Sequence, residues 1–244
     1  MDSLELPPRA RVVDTVDELM TRRFDNDKNA LCLPRTAAAD ILVGCDELAR
    51  LLADEIDDDE GAVEIDVDRL SSLPLSTSGQ QAATFVRADL EALARHGRQP
   101  TLSCIRRYPT DTRGLPIATD VLSFHVDGAP VEVDTFLCTY AGAPSELIDN
   151  DDADRLIDDP AIGDALRAAF VSRGELGDDD FDRWVVDGSF DLHYRPRHHA
   201  RVFSCGRLWL WKLAVRWPGA DVLPCIHRAP RTSRNDPPRL LLIA

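Results

Sequence analysis

The chain has 244 residues, a formal charge of −15 from 43 acidic and 28 basic side chains, and a pI near 4.7. A surface of that sign repels phosphate backbones and anionic lipid, which argues against nucleic acid and membrane partners, and no run of 18 apolar residues encodes a membrane span. A hydrophobic content of 44% supports one sizeable core, so a single domain over residues 1–244 is expected.

Residues 1–30 are polar and charged, carry Pro7 and Pro8, and are expected to form a loosely held arm. Their acidic start does not resemble a secretory leader, and a cytoplasmic protein is expected. From Thr36 the spacing of Ala37, Ile41, Leu42, Cys45, Leu48, Leu51 and Leu52 predicts a helix capped by Thr36 and ended by the acidic run 57–60, itself read as a solvated loop. A second helix is predicted over 80–96 and stopped by Gly97, with His96 facing its terminal carbonyls. Residues 31–97 thus read as helical support.

Beyond Gly97 the pattern changes to β-forming segments at 101–108, 119–126, 131–140, 201–216 and 239–243. An acidic, helix-prone insertion separates them at about 150–200. Helices first and antiparallel strands afterwards predict an α+β fold, its strands closing as a barrel or jelly roll. The six cysteines form no C-x-x-C pair and sit largely in apolar runs, so they read as reduced, buried thiols. Phosphate loops and nucleophile elbows are absent.

His125 and Asp127 stand two apart in a predicted strand, so alternation points both side chains to one face. An imidazole beside a carboxylate supplies two ligands of a 2-His-1-carboxylate triad. Roughly 0.8 such H-x-D matches arise by chance in this composition, so the pair gains weight only from residues further along the chain. His227 lies 102 residues downstream, and Arg239 comes 12 residues later at the start of the apolar strand 239–243. Pro230, Pro237 and Pro238 make the connection a turn, which lets His227 and Arg239 sit on adjacent antiparallel strands. An arginine facing a barrel interior needs an anion, and a carboxylate fits its planar fork. His193, His198 and His199 form a second cluster, read as a basic rim or a counter-charge for the acidic insertion. Trp209, Trp211 and Trp217 read as core and barrel wall.

With the H-x-D pair, distal histidine and spaced arginine in place, residues 125–244 resemble the Fe(II)/2-oxoglutarate-dependent oxygenases of the double-stranded β-helix superfamily, particularly the prolyl-hydroxylase-like branch and, within it, an uncharacterised bacterial group. The segments 131–146 and 218–228 resemble the family's strand and turn after H-x-D and its approach to the distal histidine. The resemblance implies N-terminal helices packed on a C-terminal double-stranded β-helix core at 98–244. It also implies Fe(II) held by His125, Asp127 and His227, the catalytic set, and 2-oxoglutarate held by Arg239. Leu241 stands two residues after Arg239, where many members carry a hydroxyl; Tyr140 is the candidate to supply one. The activity implied is a hydroxylase-type dioxygenase acting on a small-molecule or peptide substrate the sequence does not identify. The alternative is a cupin-like protein that binds a metal or anionic small molecule without turnover.

Overall fold

In the computed structural model, residues 5–25, 27–36, 38–56, 61–174, 178–233 and 235–244 are described; the acidic run 57–60 lies outside them. The N-terminal segment is part of the framework rather than a loose arm. Strand β1 (Ala10–Val12) runs parallel to β2 (Ala30–Leu33), whose four residues are all buried. Helix α1 (Val16–Thr21) links them, with Thr15 Oγ1 accepting from Glu18 N and the Glu18 carboxylate accepting from Asp14 N, so both side chains satisfy amides at its start.

Helix α2 spans Ala39–Ala53, and its cap is Ala38, which offers no side-chain bond. Thr36, expected to cap it, lies too far upstream. After β3 (Ala62–Ile65), α3 (Val67–Ser72) is capped by Asp66 and α4 (Thr77–Arg95) by Ser76. Gly97 takes φ +76 just past α4, the left-handed conformation a helix stop uses. His96 caps α4, and its ring meets the Asp17 carboxylate at 3.2 Å.

The remaining strands are β4 (Thr101–Ile105), β5 (Phe124–His125), β6 (Asp134–Ala141), β7 (Glu146–Ile148), β8 (Ala153–Arg155), β9 (His193–Pro196), β10 (Val202–Ser204), β11 (Leu210–Ala214), β12 (Ile226–Arg228) and β13 (Arg239–Ile243). Helices α5 (Pro160–Ser172) and α6 (Asp178–Asp187) fall within the acidic stretch. That stretch also contains β8 and β9, so it builds part of a sheet as well as the expected helices. Strands β1, β2 and β3 likewise precede or interleave with the helical support.

Among the described residues the fold is mixed α+β, with six α-helices and two sheets. The larger sheet has the order β1-β2-β11-β6-β13-β4-β3, and the smaller β10-β7-β12-β5-β9-β8. No described helix is long and apolar enough to cross a membrane. One face of the larger sheet packs on α2 and α4 through Cys104, Phe136, Cys138, Leu240 and Leu242. Its other face meets the smaller sheet through Cys32, Leu137, Trp211, Leu147, Phe203 and Cys225. The six cysteines are free and buried, and burial pushes the Cys45, Cys104 and Cys138 thiols up to about 12. Thiols so held are poor nucleophiles.

A buried polar cluster joins the helices to the larger sheet. Arg35 donates to Asp89 (2.6 Å) and to the Leu208 carbonyl (2.6 Å), and the Tyr140 hydroxyl donates to the other Asp89 oxygen at 2.7 Å. Replacing Asp89 with alanine is expected to cost about 3–5 kcal/mol, because a buried guanidinium and a fully buried phenol both lose their partner. Urea denaturation at neutral pH checks it, and a loss under about 1 kcal/mol would show that water reaches the cluster.

Candidate metal centre and arginine pocket

The smaller sheet arranges its inward-facing side chains in one row. Phe203 of β10 pairs with Leu147 of β7, Leu147 with His227 of β12, His227 with His125 of β5, and His125 with His193 of β9. Residues directly opposite in an antiparallel ladder share a face, so three imidazoles stand side by side at one end and two apolar side chains at the other. Asp127 lies just beyond the short β5. Its carbonyl accepts from Arg216 N, and the two-residue offset keeps its side chain on the His125 face.

His125 Nε2 lies 3.9 Å from Asp127 Oδ1, and His227 Nε2 lies 3.7 Å from Asp127 Oδ2. The two rings are 4.6 Å apart between centroids. All three ligand atoms lie within 4.8 Å of one another, and among the described residues this is the one group of three or more able to hold a metal ion. The hydrogen bonds orient the donors correctly. His125 Nδ1 donates to the Ser123 carbonyl (2.8 Å) and His227 Nδ1 to the Cys225 carbonyl (3.3 Å), which leaves both Nε2 lone pairs facing the carboxylate. Thr135 Oγ1 donates to Asp127 Oδ2 at 2.5 Å and fixes that side chain.

Electrostatics keep His125 and Asp127 in their ligating states. Burial and the facing His227 lower the His125 pKa to about 4, so the ring is neutral at pH 7. Burial opposes the charge on Asp127, but His227, the Thr135 hydroxyl and His125 outweigh it and hold the carboxyl below its ordinary range. Two imidazoles and a carboxylate at this spacing suit a divalent cation. A single ion with bonds near 2.1 Å spans ligands up to about 4.2 Å apart, a limit that both imidazole-to-carboxylate distances, 3.9 and 3.7 Å, meet.

His193 belongs to this row, not to a surface rim. It is buried, 5.7 Å from the His125 ring, and its Nδ1 is 2.9 Å from Ser123 Oγ. His198 and His199 are exposed and stacked on each other, while Arg195 and Arg197 pair with Asp159 and Asp154, the counter-charge expected of that segment. Burial lowers the His193 pKa to about 4 as well. Above pH 6.5 both histidines are neutral in either state. Between pH 6.5 and 4 the unfolded chain binds protons that the native state refuses, so the metal-free protein is expected to lose stability as pH falls through that window, by up to about 3 kcal/mol for each histidine. Denaturant midpoints at pH 7.5 and 4.5 measure it; equal midpoints would mean these rings protonate freely in place.

Arg239 opens β13 and is only 3% exposed. The backbone comes close there because Gly142, at φ +73, packs on it; a Cβ at Gly142 would sit 2.9 Å from both Pro238 O and Arg239 Cα. The Arg239 guanidinium donates to Thr139 Oγ1 (3.0 Å), Ser145 Oγ (2.5 Å) and the Tyr108 hydroxyl. The Nε hydrogen has no partner, and no described carboxylate pairs with the group. A buried cation held by neutral hydroxyls alone is an anion site lacking its anion.

No family model, curated protein or solved structure matches this chain.

Of the sequence-derived site residues, His125, Asp127 and His227 converge, and Arg239 faces the same interior. Tyr140 does not join them. It is fully buried against Phe85 on the helix side of β6, with its hydroxyl committed to Asp89. The hydroxyls beside Arg239 belong to Thr139, Ser145 and Tyr108, none of which the motifs single out. Thr139 carried the only signal, being next to Tyr140 and therefore on the opposite face. Trp211 is core, and Trp209 packs beside it.

Proposed function

We propose that this protein is an Fe(II)- and 2-oxoglutarate-dependent dioxygenase of the double-stranded β-helix type. The observation that carries this reading is the Arg239 guanidinium, buried without a carboxylate, set near the His-Asp-His group. Ser145, which Arg239 touches, is two residues before Leu147, and Leu147 lies opposite His227. Arg239 and the ligand set are thus linked through one short stretch of chain, an arrangement in which a dicarboxylate could place one end on the arginine and the other on a metal.

Strand order supports the same reading. Set aside β1, β2, β3, β8 and β9, and the other eight strands form two four-stranded sheets, β11-β6-β13-β4 and β10-β7-β12-β5. Numbered one to eight along the chain, these read 6-3-8-1 and 5-4-7-2, the alternation of a jelly roll.

His125, His227 and Asp127 would hold the ion on one face and leave other positions open, with Asp127 offsetting part of its charge. Arg239, with the Tyr108, Thr139 and Ser145 hydroxyls, would bind and orient the far carboxylate of 2-oxoglutarate. Leu147, Phe203 and Cys225 keep the adjoining interior dry, which strengthens those charge-assisted bonds. The bound iron would supply oxygen activation coupled to decarboxylation of 2-oxoglutarate to succinate, the chemistry no side chain here provides.

Anaerobic titration with Fe(II) and then 2-oxoglutarate is expected to give the weak visible charge-transfer band of the chelate, and admission of oxygen to give succinate. The competing reading is a cupin-like metal-binding protein without turnover, which His193 favours by standing beside His125. In that case His193→Ala would weaken metal binding, 2-oxoglutarate would leave the bound ion unchanged, and succinate would not form.

A further inference from the structure

A cavity of about 820 Å³ adjoins the proposed centre and shares two walls with it. Tyr108, on one side, places its hydroxyl on Arg239; Ser123, on the other, takes the His125 Nδ1 hydrogen on its carbonyl. None of the three ligands and not Arg239 itself lines the cavity, so a molecule seated in it is separated from the proposed centre by one residue, Tyr108 toward Arg239 and Ser123 toward His125. The volume suits a small molecule, within the range of ordinary ligand clefts.

The charge at the cavity is the opposite of the molecule's. In a chain of net charge −15, its walls carry Arg106, Arg107 and Arg231, against the single carboxylate of Asp120. Asp120 is occupied: its two oxygens accept from Asp111 N and Leu122 N, so it shapes the loop. Arg231 has no hydrogen bond or ion pair among the described residues, and Arg106 has only a loose 3.6 Å approach to an exposed Asp54. The remote acidic surface does not cancel these charges, because salt screens it within about 8 Å. Thr110, Thr232 and Ser233 add hydroxyl donors to the same walls.

We infer that this cavity is the prime-substrate site of the enzyme proposed above, and that the substrate is a small molecule bearing a phosphate or carboxylate group held by Arg106 and Arg231. The two arginines come from different elements, the end of β4 and the turn after β12, and both line the cavity, so an anion held between them would leave its uncharged part free to extend past Ser123 or Tyr108 toward the proposed centre. Arg231 and Thr232 also border a second cavity, beside Gly142 and Pro238. The inference rests on the dioxygenase reading for its chemistry but is tested by binding alone.

The test is anaerobic calorimetric titration of the full Fe(II)-loaded chain, with and without saturating 2-oxoglutarate, using glycerol 3-phosphate, inorganic phosphate, succinate, uncharged glycerol and a hexaglutamate peptide as probes. With 2-oxoglutarate present, one equivalent of a phosphate or carboxylate probe is expected to bind and glycerol is not; which anion binds more tightly assigns the group. Arg106→Ala and Arg231→Ala should each weaken that binding about tenfold, and Arg231→Glu should abolish it. Equal affinity in Arg231→Glu, equal binding of glycerol, or loss of anion binding in Arg239→Leu alone would overturn the inference. Tighter binding of the peptide than of every small anion would overturn it in favour of a polypeptide substrate. If 2-oxoglutarate fails to bind while the arginine-dependent anion still does, the dioxygenase reading falls and the anion site stands.

Discussion

Asp127→Ala is expected to lower Fe(II) affinity by at least about 100-fold and to stop succinate formation. The change removes the one anionic ligand and leaves two imidazoles, whose rings are only 4.6 Å apart. Residues that merely orient a metal ligand typically contribute 10–100-fold in affinity, so a ligand itself sets the lower bound of the effect. Thr135→Val provides the graded comparison. It keeps the carboxylate and deletes the 2.5 Å hydrogen bond that fixes it, so an intermediate loss of about 10-fold is expected. Asp127 is partly exposed, and its removal leaves the Thr135 hydroxyl, a neutral and part-buried donor, as the group that loses its acceptor, so the variant should fold. Anaerobic Fe(II) titration of the three proteins is the measurement. Wild-type affinity in Asp127→Ala would reduce the carboxylate to a counter-charge for His227.

The parts of this site that were legible in the sequence are those governed by local periodicity. Alternation within the H-x-D pair needs only two residues of extended backbone, and β5 supplies little more than that. The strand 239–243 was legible to the residue because prolines bound one side and an unbroken apolar run lies on the other. The choice of inward face on β6 failed. From Phe136 to Ala141 that strand is buried on both sides, so it reads as a continuous apolar run with no polar face to mark solvent or interior. Tyr140 then had no better claim to the interior than Thr139. A bulge adds to this, since Leu240 pairs with Ala141 and Leu241 with Thr139, passing over Tyr140. His193 was out of reach for another reason. Its strand lies in the acidic stretch, and only the non-local pairing of β9 with β5 brings it beside His125. The N-terminal strands were missed because β1 is three residues long in a charged segment, and its parallel pairing with β2 leaves no hairpin signal.

Arg239→Leu separates an enzyme from a metal-binding protein, because only the former needs a guanidinium facing the interior from the last strand. The variant is expected to bind Fe(II) almost as the wild type does, since none of the three ligands touches Arg239. Its apparent constant for 2-oxoglutarate should rise by about 10- to 150-fold, the equivalent of the roughly 1.5–3 kcal/mol that a charge-assisted pair contributes. Folding should not suffer in proportion. The wild-type guanidinium is buried with one unpartnered nitrogen and only hydroxyls around it, so replacing it by an apolar side chain relieves a desolvation cost while leaving three neutral hydroxyls to find new partners. Urea denaturation is therefore expected to show a change of about 1 kcal/mol or less in the absence of 2-oxoglutarate. In its presence only the wild type should gain stability, because only the wild type binds the ligand tightly enough to shift the equilibrium. Arg239→Lys should recover part of the affinity, since a point charge keeps the attraction but loses the two-pronged geometry. Unchanged 2-oxoglutarate affinity in a variant that still binds Fe(II) would leave the His-Asp-His group as a metal site and remove the reason for calling the protein a dioxygenase.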